Sequence, residues 1–111
     1  MRTLVLSLLL AGCTGSVQNP EPMVSGEVTA VDLDPWTYDG SARIEVRTED
    51  GETAVLSIPA RINLCEAQGL GDAGQLQVGD RVEVRGERGP DGAVTPCARP
   101  DHYLRRLSRA G

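Results

Sequence analysis

Apolar and polar side chains alternate in three separate stretches of this chain. Ala42, Ile44 and Val46 alternate with Arg43, Glu45 and Arg47 in residues 42–48. Ala54, Leu56 and Ile58 mark every second position of residues 53–58, and Val82 and Val84 alternate with Arg81, Glu83 and Arg85 further on. A period of two places successive side chains on opposite faces of a strand, so each stretch predicts a strand with one dry face and one wet face. Between the first two lies Glu49-Asp50-Gly51-Glu52. Asp-Gly flanked by alternating strands supplies the positive backbone angles of a tight hairpin.

The remaining segments are placed around these three. Residues 26–33 hold β-branched Val28, Thr29 and Val31 in partial alternation and predict a first strand, with Gly26 available for a bulge. Pro35 and Gly40 break the chain at 34–40. Pro59 ends the third strand, and from 60 to 76 the period changes: Ile62, Leu64, Cys65 and Leu70, interrupted by Gly69, Gly71 and Gly74, suggest a short helix or loose turn. Val78-Gly79-Asp80 turns into the fourth strand and Gly89-Pro90-Asp91-Gly92 turns out of it. Residues 93–97 then predict a fifth strand, whose Pro96 belongs at an edge or an end. In residues 100–109, Tyr103, Leu104 and Leu107 suit a short helix, whereas Tyr103, Arg105 and Leu107 suit a strand. The strand is favoured, because a closing barrel needs length from its last strand.

Five strands, a small helical insertion between the third and fourth, and the run Leu76-Gln77-Val78-Gly79-Asp80-Arg81-Val82-Glu83-Val84-Arg85-Gly86 resemble the OB (oligonucleotide/oligosaccharide-binding) fold, an all-β Greek-key barrel. The likeness covers residues 24 to about 97 and rests on order and pattern. It implies ligand binding on the face of strands two and three and through the loops joining strands one to two and four to five. Trp36 and Tyr38, with Asp34 and Asp39 at the rim, fall in the first of those loops. They are the candidate ligand-binding residues, as an aromatic platform for a sugar ring or a peptide. The alternative is that Trp36 covers the open end of a core poor in large side chains.

Composition sharpens that alternative. The 111 residues include no Phe, one Trp and two Tyr, so the core must come from Val, Leu, Ile and Ala. Thirteen Gly and seven Pro fit short strands joined by turns. All eleven basic residues are Arg, against sixteen acidic ones, for a net charge of −5. Four of the Arg (Arg99, Arg105, Arg106 and Arg109) lie near the C-terminus, leaving an acidic body with a basic tail that can pair with that body's strand faces. An acidic body argues against nucleic acid as a partner, since phosphate-backbone binding depends on clustered cations.

The N-terminus adds a location. Arg2 precedes an apolar run from Leu4 to Leu10, followed by Leu10-Ala11-Gly12-Cys13. This resembles the lipobox of bacterial lipoproteins, in which small residues admit the signal peptidase and the cysteine thiol is diacylated. The resemblance implies a signal peptide at 1–12, lipidation of Cys13, and a flexible tether over 13–23 rich in polar residues and Pro. A single domain follows over 24–111. Thr14 in place of Asp implies the outer membrane, facing the periplasm, over the inner membrane. The membrane partner is then lipid alone, since the apolar run is far short of the roughly 20 residues that span a bilayer as a helix.

With Cys13 acylated, Cys65 and Cys97 remain, and in an oxidising compartment two leftover thiols pair. In a barrel of the OB type that disulfide would tie the insertion to the end of strand five. Asp32, Asp34 and Asp39 lack the ligand pattern of a calcium loop, and no nucleophile elbow, zincin motif or phosphate-binding loop occurs. Neither a metal nor a cofactor is implied. The sequence therefore points to a lipid-anchored extracytoplasmic binding or structural module without enzymatic activity, its ligand an envelope protein or saccharide. Two rival readings stay open: an acidic inhibitor of a cationic cell-wall enzyme, and a metal- or thiol-dependent enzyme using Cys65, Cys97 and His102.

Overall fold

A computed structural model describes residues 22–110. The N-terminal signal, Cys13 and the tether up to residue 21 lie outside the described residues. Seven strands form one curled, mixed sheet, a half-barrel, in the order β5-β6-β3-β2-β1-β4-β7. They are β1 (Met23–Asp32), β2 (Ala42–Thr48), β3 (Thr53–Ile58), β4 (Arg81–Arg85), β5 (Glu87–Arg88), β6 (Val94–Thr95) and β7 (Tyr103–Ser108). All neighbouring pairs are antiparallel except β3 with β6, which meet in parallel at Leu56 and Val94.

The alternating stretches become β2, β3 and β4, and the face predicted dry is dry. Ile44, Val46, Leu56, Ile58, Val82 and Val84 are all fully buried, joined from the other strands by Val28, Val94 and Leu104. β1 starts at Met23, within the expected tether, and serves two partners. Its first half pairs with β4 (Met23 opposite Arg85) and its second with β2 (Asp32 opposite Arg43), with the register shifting between Val28 and Ala30. A bulge increases strand twist, which lets one strand bend between two neighbours. Gly26 lies where β1 meets β2. A Cβ there would fall on the Arg47 carbonyl, so this crossing requires glycine.

Two expectations are corrected. The fold has seven strands and not five: Gly86 separates β5 from β4, and the predicted fifth strand over 93–97 is only Val94–Thr95, ended by buried Pro96. The helical insertion is not an α-helix; residues 62–64 and 70–75 form short 3₁₀ turns that send Leu70 and Ala73 into the core. The tight hairpin expected at Glu49-Asp50-Gly51-Glu52 joins β2 to β3. Gly51 N–H donates to Thr48 O at 3.0 Å and only Gly51 takes a positive φ, +88°, so Glu49, Asp50 and Gly51 form a three-residue loop closing on a glycine bulge. Residues 103–108 are a strand, as favoured, lying against β4.

Candidate functional site

The aromatic loop follows β1 as a 3₁₀ turn, Asp34–Tyr38, with Pro35 near its start and Asp39 in the left-handed region at its end. Asp32 Oδ1 accepts the Asp34 amide at 3.0 Å and Thr37 Oγ1 donates to Asp34 O at 2.8 Å. These bonds close the turn. Trp36 is half-buried against the core, its Nε1–H donates to Ile58 O at 2.9 Å, and its ring lies over Gly74. Tyr38 is 73 % exposed, and Asp39 takes an exposed ion pair with Arg61 at 3.1 Å. The four candidate residues share a loop but not a direction. Trp36 covers the core, while Tyr38 and Asp39 face solvent.

Cys65 and Cys97, 32 residues apart, form a disulfide with a Cα–Cα distance of 4.6 Å. It joins the segment after β3 to the loop between β6 and β7. Main-chain bonds run on from it: Glu66 N–H to Cys97 O at 2.8 Å, Gln68 N–H to His102 O at 3.1 Å and Leu104 N–H to Gln68 O at 3.2 Å. His102 is fully buried beside this seam. With both sulfurs paired, neither cysteine has the thiolate that a nucleophile or metal ligand requires. No group of three metal-ligating side chains occurs among the described residues, and no helix among them is long and apolar enough to cross a membrane.

The basic tail folds back on its own domain. Arg105 reaches Glu83 at 3.2 Å and lies over the Tyr103 ring, and Arg99 meets Asp101 at 3.2 Å. Arg106 approaches Asp80 at 3.6 Å. Asp80 is only 2 % exposed. Its carboxylate accepts the Gln77 amide at 2.9 Å and the Ala110 amide at 2.7 Å. Those two N–H donors, with Arg106 behind them, hold its pKa below the usual carboxylate range against the opposing effect of burial. Asp80 thus locks the turn into β4 onto the C-terminal residues. The turn at Val78-Gly79-Asp80 is legible in the sequence, whereas the partner of Asp80 at Ala110 is remote from it.

A groove of about 850 Å³ opens elsewhere, between the first residues of β1, the β2–β3 hairpin and the β5–β6 turn. Thr53, Ala54 and Val55 of β3 and Asp91, Gly92 and Ala93 of the turn line its walls. Arg43 and Arg88 supply its cations; Arg43 faces Glu45 at 3.7 Å and Arg88 donates to Gly92 O at 3.1 Å. Glu49, Asp50, Glu52 and Asp91 supply carboxylates. Asp50 accepts the Thr48 hydroxyl and the Glu52 amide, which lower its pKa, and Asp91 accepts the Ala93 amide at 3.1 Å. These bonds set both loop carboxylates in place. A volume of this size is within the several-hundred-Å³ range of small-ligand sites.

Trp36, Tyr38, Asp34 and Asp39 do not line this groove. The groove adjoins β3 and the turn after the fourth strand, both among the places that the OB resemblance implies for a ligand. Arg43, Thr53, Val55, Arg88 and Asp91 carry no motif that marks them as a site, although the wet positions of the alternating strands are legible in the sequence. In comparisons with known proteins, no family model, no curated protein and no solved structure matches this chain.

Proposed function

We propose that the protein is a lipid-anchored binding module of the bacterial envelope, without catalytic activity, facing the periplasm from the outer membrane. In this reading Cys13 carries the lipid and residues 13–22 hold the domain off the membrane. The Cys65–Cys97 disulfide supports an oxidising compartment, since such bonds persist outside the cytosol.

The domain is an OB-type barrel whose last two strands are each interrupted. Gly86 divides the fourth into β4 and β5, and the loop over 96–102 divides the fifth into β6 and β7. β5 with β6 continues the antiparallel pairing of β4 with β7. The parallel meeting of β3 with β6 and the antiparallel pairing of β1 with β4 support that topology. The observation that carries the functional reading is the position of the large groove, against β3 and the turn after the fourth strand.

Amide chemical-shift mapping with a soluble envelope fraction tests the site. Shifts confined to residues 48–55 and 88–93 are expected; shifts centred on 34–39 would move the site to the aromatic loop. The four carboxylates around the groove also favour a second reading, an acidic inhibitor of a cationic cell-wall enzyme. Inhibition of such an enzyme at low salt and its loss at high salt distinguish that reading, because exposed charge attraction is screened.

A further inference from the structure

We infer that the groove receives an extended, cationic polypeptide segment that adds a strand to the outer edge of β3. This rests on the reading of the groove as the ligand site and names its ligand class.

The main chain supplies the first argument. β3 pairs with β2 along its whole length, from Thr53 opposite Arg47 to Ile58 opposite Ala42. On its other side, among the described residues, it pairs only through Leu56 with Val94. Thr48 N–H donates to Glu52 O at 2.8 Å, which fixes the phase of the β2–β3 ladder. In an antiparallel pair, bonded and non-bonded positions alternate, and residues at non-bonded positions turn their N–H and C=O to the opposite edge. Thr53 and Val55 occupy those positions. The parallel meeting of Leu56 with Val94 engages the Val55 carbonyl, so the outward groups left along the wall of the groove are the Thr53 N–H and C=O and the Val55 N–H. An unpaired edge of this kind is a template for an incoming strand, with main-chain bonds giving affinity and alternate side chains giving choice.

Charge decides the partner. Glu49 is paired with Arg81 at 3.1 Å and Arg43 faces Glu45, which leaves Asp50, Glu52 and Asp91 against the single charge of Arg88, so the site keeps an excess of carboxylates. Lys or Arg side chains on the incoming strand would meet these carboxylates. No aromatic side chain lines the groove, and Trp36 is committed to Ile58 O. Stacking on aromatic faces, on which single-stranded nucleic acids depend, therefore has no platform in the groove.

The test uses the mature protein and a capped octapeptide of alternating Lys and Val at low ionic strength. Three comparison probes are the same peptide with alternate backbone amides N-methylated, the peptide with Glu for Lys, and soluble cell-wall oligosaccharide. Binding of the Lys peptide should shift the amides of Thr53 to Val55 and Asp91 to Ala93. N-methylation should weaken it at least about tenfold, as expected from losing two main-chain hydrogen bonds. Glu52→Gln combined with Asp91→Asn should weaken it and flatten its salt dependence. Equal affinity for the N-methylated or the Glu peptide, or no binding of the Lys peptide, would overturn the inference. If the oligosaccharide alone shifts these amides, the groove stands as the ligand site and the polypeptide inference falls.

Discussion

Asp80 shows how much one side chain can hold. Its two oxygens accept amides from the turn before β4 and from Ala110, and its own carbonyl accepts the Val28 amide at 2.8 Å. Asparagine has the same shape but turns one acceptor into a donor aimed at an N–H, so Asp80→Asn is expected to lower the urea midpoint at neutral pH. The folded-state pKa of Asp80 is depressed. Its contribution is therefore complete above the ordinary carboxylate value of about 4 and is lost as pH falls through the lower folded value. The gap in midpoint between wild type and Asp80→Asn should close on acidification; a constant gap would contradict this role. Asp50 and Asp101 are depressed too, but both proteins share them.

Trp36 gives a second residue-scale outcome. Trp36→Phe keeps a ring against the core and removes the indole's hydrogen bond to Ile58 O, at an expected cost of about 1 kcal/mol. Tyr38→Ala, at an exposed position, should stay within about 0.5 kcal/mol. Urea denaturation measures both, and reversal of their order would contradict the inward placement of the indole.

At the scale of elements, the glycines of β1 and of the β2–β3 loop separate two kinds of constraint. Gly26→Ala must push apart β1 and the Arg47 carbonyl and should broadly disrupt the sheet. Gly51→Ala meets open space and should cost only about 1–2 kcal/mol, the penalty of a left-handed backbone. The disulfide closes a loop with a sequence separation of 32. Replacing Cys65 and Cys97 together by Ala should cost about 3–4 kcal/mol in the chain-entropy model, read by urea midpoint.

The same elements differ in how legible they are in the sequence. β2, β3 and β4 could be read because one face of each is dry over five to seven residues. β5 and β6 are two residues each, too short for any period to register. Residues 60–76 carried no stable period because 3₁₀ turns bury only isolated positions, Leu70, Ala73 and then Leu76. For Trp36 the sequence located the loop and left its direction open. That direction depends on Ile58 and Gly74, which are remote in sequence.

At the scale of the whole molecule, the groove could not be read from any one stretch. Residues 23–25, 48–55 and 88–93 meet only because β1 bends between β4 and β2 while β6 returns beside β3. The proposal that this groove faces the periplasm depends on the Leu10-Ala11-Gly12-Cys13 sequence and on the pairing of the other two cysteines. Burial of acyl methylenes, at about 0.8 kcal/mol each, would make an anchor of two or three chains stable without any spanning helix. Cys13→Ala should then release the protein from the membrane fraction while leaving the fold intact, as membrane flotation and circular dichroism would show. The most direct measurement is intact mass spectrometry of the native polypeptide with a thiol count before reduction. A chain beginning at an acylated Cys13 with no free thiol is the expected result. A chain that keeps Met1, bears no lipid and shows three reduced cysteines would contradict it.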